Sequence, residues 1–255
     1  MTGFPRVVSS VYGAAVEGGF ASTNPRVLAV AGPGGFVAGT NASNANGLLI
    51  GRFAWGDLNS TYLDPEGAPT ILNNHGSALT AGGAIATNAA TITMAAALPA
   101  WVVANMAVWD LTTNKYLGLV LTAVSTTLTL AANAANAGSG TSDVLAFAPM
   151  PTGIIANENT ALITSFLAET SMTIPKGAAC AAFTECDIWV KNANSANASI
   201  IGQKAFAMAG DGSVQFAAAG ATVAGGIETH FWAASVGAAG SLVKISSMWA
   251  TGTSR

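Results

Sequence analysis

The clearest pattern in the chain is a series of short apolar–polar alternations between Ala161 and Gly220, broken at nearly even intervals by turn-forming residues. In the run Asp187–Asn192 (DIWVKN), polar or amphipathic residues alternate with Ile and Val. The turns are formed by Pro175-Lys176-Gly177 and Gly210-Asp211-Gly212. Alternation with a period of two, bounded by such turns, is typical of antiparallel strands. This stretch therefore predicts the central β structure of the protein.

Further strands are predicted on both sides of this stretch. Leu48–Trp55 (LLIGRFAW) is predicted to form one strand, and Glu228–Ala233 and Leu242–Trp249 to form a closing pair. The segment Glu158–Glu169 has an apolar stripe at helical spacing. A strand over Ala161–Leu167 is the preferred alternative there because the neighbouring sequence has strand patterning.

The segment from residue 76 to 148 has a different texture. Thr91–Ala96 and Thr127–Ala132 are near copies, and each alternates Thr with a larger apolar residue. Trp101–Trp109 and Tyr116–Val124 lie between them, and Val144–Ala148 follows. Four or five short strands are predicted, forming a small β-domain (76–148) inserted into a main β-domain (31–75 and 149–255).

Residues 1–30 are predicted to be an extended arm, because Pro and Gly recur too often for a long helix. The predicted fold class is therefore all-β. It comprises an antiparallel, jelly-roll-like β-sandwich or barrel core, an N-terminal arm and the inserted domain.

The chain is unusually poor in charge. Of its 255 residues only 8% are charged, whereas 51% are hydrophobic. Charge depletion is typical of the cores of protein interfaces, so we expect partners to cover much of the surface. A free surface kept soluble by Asn, Ser and Thr is the equally weighted alternative.

The charge pattern also argues against two classes of partner. The net charge is −3 and the nine basic residues are scattered, so nucleic acid is not expected. Residues 78–109 carry no charge, but polar residues and Pro99 interrupt them, and no run reaches the ~18 apolar residues of a membrane span. The N-terminus lacks the pattern of a secretory signal.

No catalytic, cofactor or metal site is predicted. The only histidines are His75 and His230, and neither lies in a triad or metal-binding motif. Cys180 and Cys186 are interpreted as buried free thiols, although a disulfide remains an alternative. Six tryptophans would suit a sugar-binding groove, but core or interface packing is the favoured interpretation.

Several segments, in order, resemble the structural cement or decoration proteins of tailed-phage heads. They lie between residues 19 and 220 and are Gly19–Arg26 (GFASTNPR), Ala31–Gly39 (AGPGGFVAG), Ile50–Trp55 (IGRFAW), Ala161–Pro175 (ALITSFLAETSMTIP), Asp187–Asn192 (DIWVKN), Ile200–Phe206 (IIGQKAF) and Asp211–Gly220 (DGSVQFAAAG). The resemblance implies a non-enzymatic virion protein, made in the host cytoplasm, that binds the capsid surface and strengthens the shell. It implies the major capsid protein as partner and offers no catalytic residues. Self-association as a dimer or trimer is also expected.

Five residues are predicted to contact the capsid or another subunit: Arg6, Phe20, Arg26, Arg52 and Trp55. The first three belong to the predicted arm, which would grip the shell while the inserted domain faces outward. Two alternatives remain open: a phage tail or baseplate component, and a carbohydrate-binding, adhesin-type β-protein.

Overall fold

The chain is all-β, as predicted. A computed structural model describes residues 15–32, 34–40, 47–59, 68–138, 142–157 and 172–248. These residues form four sheets. The strands of the first half are β1 (Val27–Leu28), β2 (Phe36–Ala38), β3 (Gly47–Leu49), β4 (Phe53–Gly56), β5 (Thr70–Asn73), β6 (Ser77–Thr80), β7 (Thr91–Thr93), β8 (Ala107–Asp110) and β9 (Lys115–Val124). The remainder are β10 (Thr127–Leu130), β11 (Val144–Ala148), β12 (Gly153–Ile155), β13 (Thr173–Pro175), β14 (Ala182–Glu185), β15 (Asp187–Lys191), β16 (Lys204–Met208), β17 (Val214–Ala217), β18 (Gly226–Ala233) and β19 (Leu242–Ser246).

A six-stranded sheet with the order β1-β14-β12-β4-β5-β2 lies in the middle of the main domain. Its pairs are antiparallel except β2 with β5, which is parallel. Successive residues of one strand enter different cores: Phe53 and Trp55 pack into one, while Ala54 packs into the other. Ile154 and Ile155 divide in the same way. Because side chains alternate across a strand, this sheet is buried on both faces.

Each face of the central sheet is covered by a different sheet. A five-stranded antiparallel sheet, β15-β19-β18-β16-β17, covers the first face. Ile188, Phe231 and Ile245 point from it into the shared core and are fully buried. The two-stranded pair β3–β13 covers the other face through Leu48 and Ile174. The main domain is therefore a β-sandwich with a small third layer.

A second six-stranded sheet, β6-β11-β8-β9-β10-β7, comes entirely from residues 77–148. A bridge between Ala81 and Met94 joins its two edges, so the sheet closes on itself. Its interior holds its own apolar cluster, which includes Val108, Leu128 and Phe147. These strands fall inside the segment predicted as an insert; the domain boundaries themselves stay a prediction.

Trp109 forms the junction between the closed sheet and the sandwich. With Ala107 and Tyr116 it packs against the sandwich core. The indole lies against the backbone of Gly210 and Gly225, so closely that a Cβ on either glycine would come within 2.3 Å of the ring.

The predicted single strand Leu48–Trp55 is wrong, because the segment forms two strands, β3 and β4, in different sheets. The break falls at Gly51, whose φ of 74° is in the left-handed region that glycine tolerates best. The run Trp101–Trp109 is also shorter than predicted, since its strand begins only at Ala107.

Some predicted elements lie outside the described residues. These are the helix or strand between Glu158 and Glu169, the first 14 residues of the arm, and the end of the closing strand at Trp249. Within the described part, the turn at 210–212 and the strand Asp187–Lys191 are present as predicted.

The Trp109 junction predicts that Gly225→Ala destabilises the protein more than Gly220→Ala. Both glycines have φ of 73°, so both substitutions carry the left-handed penalty of roughly 1–2 kcal/mol. Only at Gly225 does the new methyl group meet the indole, because nothing lies within 4 Å of a Cβ at Gly220. We expect about 1–3 kcal/mol of additional destabilisation from overpacking, measured by urea denaturation. Equal losses in the two variants would contradict this account of the junction.

Candidate capsid-contact surfaces

Residues 18–28 form a strap that runs along the edges of both large sheets of the sandwich. The backbone N–H of Gly18 donates to the carbonyl of Trp189 at 2.7 Å, and the N–H of Ala21 donates to the carbonyl of Asp187 at 2.9 Å. Farther along, β1 pairs with β14. The strap therefore covers the edge of β15 in one sheet and the edge of β14 in the other. Covering an edge satisfies backbone groups that would otherwise be open to pairing.

Phe20 and Arg26, two of the predicted contact residues, interact with each other within the strap. The Phe20 ring packs edge-on against Phe183, with centroids 5.1 Å apart. The Arg26 guanidinium lies 3.6 Å from the centroid of the Phe20 ring, a cation–π distance. Phe20 is thus directed into its own sandwich, whereas Arg26 is exposed above it. Arg6 lies outside the described residues.

Asp187 anchors the strap to the five-stranded sheet. Its carboxylate is buried, accepts a hydrogen bond from Asn24 Nδ2 at 2.7 Å, and lies 3.7 Å from Lys244 Nζ. Burial by itself would raise the pKa of Asp187. The side chains of Ser22, Ser246, Lys244 and Asn24 outweigh that effect and lower the pKa below its usual value.

Arg52 lies in the turn between β3 and β4 and makes an ion pair with Asp211. Arg52 Nη1 is 2.6 Å from Asp211 Oδ2 and also donates to the Asp211 carbonyl at 3.1 Å. The other carboxylate oxygen of Asp211 accepts hydrogen bonds from the amide and hydroxyl of Ser213. Arg52 therefore joins the β3–β4 turn to the β16–β17 turn, and it lines a polar cleft of about 420 Å³.

Trp55 is a core residue with 1% of its surface exposed. Its indole N–H donates to the carbonyl of Pro149 at 2.7 Å. It lines an apolar groove of about 350 Å³, and none of the described residues that line this groove is charged. Val30, 96% exposed, and Met150, 61% exposed, form the rim. The exposed apolar surface at this groove is therefore provided by Val30 and Met150, and the predicted contact residue Trp55 lies beneath them.

A second apolar surface lies on the outer side of the closed sheet. Thr93 pairs with Thr127, and Thr129 pairs with Thr122, on the side opposite the buried Ile92 and Leu128. Strand β9, which carries Thr122, also has the exposed apolar side chains Leu119, Leu121 and Val124. From residue 78 to 142 the sequence has only two charged residues, Asp110 and Lys115.

The two cysteines are free thiols that lie in different cores. Cys186 packs in the core between the two large sheets, and Cys180 packs beside the two-stranded layer. Burial raises the pKa of Cys180 to about 11 and that of Cys186 to about 12. Both thiols are therefore protonated and unreactive at neutral pH, and the alternative of a disulfide is excluded for this structure.

The ring of each histidine contacts a backbone carbonyl. His75 is buried, its ring contacts the Gly76 carbonyl and the Thr40 hydroxyl, and burial lowers its pKa. His230 is exposed, and its ring contacts the Thr184 carbonyl. Across the described ranges no three His, Cys, Asp or Glu side chains lie close enough to hold a metal ion. In the same ranges, no helix is long and apolar enough to span a membrane.

Comparison with protein families identifies a phage capsid family. A family model described as XM1 gp53 minor capsid protein matches residues 102–247, which is more than half of the 255 residues. The chain belongs to the XM1 gp53 minor capsid protein family. It is therefore a structural capsid protein of a bacteriophage, and its place is in the virion. No match is found among curated proteins.

The region matched to the minor capsid family extends from just before β8 to just after β19. It includes four strands of the closed sheet and the whole five-stranded sheet. The strap, Arg52 and Trp55 lie before it, so their contact roles stay predictions.

Three residues at these surfaces are not predicted from the sequence. Val30 and Met150 form the rim of the groove beside Trp55, and Asp187 anchors the strap that carries Phe20 and Arg26. Val30 lies within the apolar run Val27–Ala31, and Met150 lies between two prolines. Neither context signals exposure. In the sequence, Asp187 is only one polar position of an alternating strand. A buried carboxylate on an otherwise typical strand becomes visible only when its partners from residues 22–24 and 244–246 are brought together.

The Asp187 anchor predicts acid sensitivity. Since the folded-state pKa is depressed, the stabilisation is present above the unfolded-state pKa of about 3.9 and is lost as pH falls through the folded-state value. We expect Asp187→Asn to lower the free energy of unfolding by about 1–3 kcal/mol at neutral pH and by progressively less below about pH 4. Denaturation curves across pH measure both effects. A variant deficit that persists unchanged into acid would contradict this role of the carboxylate.

Proposed function

We propose that the chain is a cement or decoration protein that binds the outer surface of the capsid, with the major capsid protein as its partner, and stabilises the shell. The observation that carries this proposal is the uncharged groove rimmed by Val30 and Met150. An apolar side chain of a capsid subunit would fill it, in the manner of an interface hot spot.

The low charge of the molecule supports the same function. A minor capsid protein with 8% charged residues, and with exposed apolar and threonine side chains along β9, can lose a large area of water contact at little electrostatic cost. Ligands that bind only the assembled state stabilise that state by mass action. The proposed effect on the shell therefore needs no enzymatic step.

The direct test is to add the purified chain to capsids that lack it. We expect co-sedimentation with expanded capsids, a higher disruption temperature of the shell, and density repeated over the icosahedral lattice in cryo-EM images. Density confined to one vertex would instead identify a tail-associated component and refute the cement function.

The groove makes a sharper prediction. Val30→Asp and Met150→Asp should each weaken capsid binding about tenfold or more, because a carboxylate would have to be desolvated at the contact. Both side chains are exposed in the free protein, so folding stability should change by less than about 0.5 kcal/mol. Val236→Asp is the matched control, since Val236 is 62% exposed and does not line the groove. Equal binding by all three variants would remove the groove from the interface.

The arm hypothesis is tested by deleting residues 2–14. This deletion leaves the strap and its contacts with β14 and β15 in place, so the sandwich should keep its denaturation midpoint. If the first residues, including Arg6, grip the shell, capsid binding will fall at least tenfold. Unchanged binding by the deletion variant would exclude residues 2–14 from the contact.

A further inference from the structure

A polar cleft of about 420 Å³ lies on the main domain, apart from the groove. Four segments meet there: residue Glu17 before the strap, the β3–β4 turn with Arg52, the end of β15 with Lys191, and the β16–β17 turn with Asp211. Ala193 and Val214 are the two apolar side chains among the lining residues apart from glycine. The cleft and the Val30–Met150 groove share no lining residue.

Some charged groups of the cleft have hydrogen-bond or ion-pair partners, and others do not. Asp211 is held by Arg52 and Ser213, as described above. The half-buried carboxylate of Glu17 makes no hydrogen bond or ion pair with any described residue, although Arg52 and Lys191 are near enough to act on it electrostatically. Lys191 is exposed, and within the described ranges no carboxylate lies within 4.0 Å of its ammonium group. One free acceptor and one free cationic donor therefore face the same cleft.

A tryptophan, Trp189, lies next to Lys191 on β15, just outside the lining of the cleft. Trp189 precedes Lys191 by two residues on β15, so the two side chains project from the same face, about 7 Å apart along the strand. The indole is partly exposed. The facing residue on β19 is Lys244.

We propose that this cleft binds an acidic sugar residue of a polysaccharide. The ligand carboxylate would interact with Lys191, its hydroxyl groups would donate to Glu17, and Trp189 would stack against the neighbouring sugar ring. An apolar ligand does not suit a cleft lined mainly by polar groups. A simple anion does not suit it either, because it would leave the Glu17 carboxylate without a donor in a partly desolvated position.

Glu17 gives this site a characteristic pH dependence. Burial raises the pKa of Glu17, and the opposing effects of Arg52 and Lys191 do not cancel the increase. As pH falls, Glu17 becomes neutral at a higher pH than an ordinary glutamate and no longer repels the ligand carboxylate. A uronic acid carboxylate, like other carboxylates with a pKa near 3.5–4, stays ionised over roughly pH 5–7.5. Arg52, Lys191 and Asp211 are the other charged groups that line the cleft.

The test uses the purified full chain with three probes: oligogalacturonate, neutral dextran oligosaccharides and poly-L-glutamate. Calorimetry gives the affinities, and tryptophan fluorescence reports on Trp189. We expect oligogalacturonate to bind, more tightly as pH falls and Glu17 becomes protonated, and neutral dextran to bind at least tenfold more weakly.

Substitutions at exposed or half-exposed positions keep the protein folded during this test. Lys191→Gln should weaken oligogalacturonate binding about tenfold, the size expected for one charge-assisted hydrogen bond. Glu17→Gln should abolish the pH dependence. Lys176→Gln is the matched control, because Lys176 is also an exposed lysine but does not line the cleft.

Three results would overturn the proposal. They are equal binding of oligogalacturonate by the Lys191→Gln and Lys176→Gln variants, absence of binding at millimolar probe, and equal affinity for poly-L-glutamate, which would indicate an acidic peptide. Capsid binding is measured separately through the groove variants, so failure here leaves the cement proposal untouched.

Discussion

The central sheet of the sandwich has two apolar faces, and the rest of the main domain is arranged to bury them. Phe53 and Trp55 on one face require the five-stranded sheet, and Ala54 and Ile155 on the other require the β3–β13 layer. A strand buried on both faces cannot alternate apolar with polar residues. This explains why the segment around Phe53 is almost continuously apolar. Its neighbours Gly51 and Arg52 form the turn that precedes the strand.

Double burial of the central sheet also sets where function can be located. Most large side chains of the sandwich pack inside it, including Trp55 and Phe20. The side chains available for contact with other proteins therefore lie at the rims of the groove and at the edges of the sheets. The strap pairs with β14 and β15 and thereby covers two of those edges. Among the described residues, the surfaces left open include the Val30–Met150 groove, the outer face of the closed sheet and the polar cleft at Lys191. Their different chemistry is the basis for assigning them different partners.

The scarcity of charge makes each internal ion pair consequential. Arg52 with Asp211 and Lys244 with Asp187 are the two salt bridges among the described residues, and each joins segments distant in sequence. Both are partly shielded from water, where breaking one partner costs more than at an open surface. Such pairs fix the relative positions of turns that are distant in sequence.

By itself, the sequence determined the all-β class, the position of the turn at 210–212, the strand at 187–191 and the absence of a recognisable catalytic motif. These follow from local alternation and turn chemistry, which act over a few residues. It also indicated a phage capsid protein, which the family comparison confirms. Only the tertiary structure decided that Leu48–Trp55 divides between two sheets, that Trp55 is core and Val30 is surface, and that Asp187 anchors the strap. The reason is that alternation along a strand shows only that its two faces differ. Which face meets solvent depends on contacts between segments that are distant in sequence. Asn24 with Asp187 and Trp109 with Gly225 are two such contacts, and only folding brings them together.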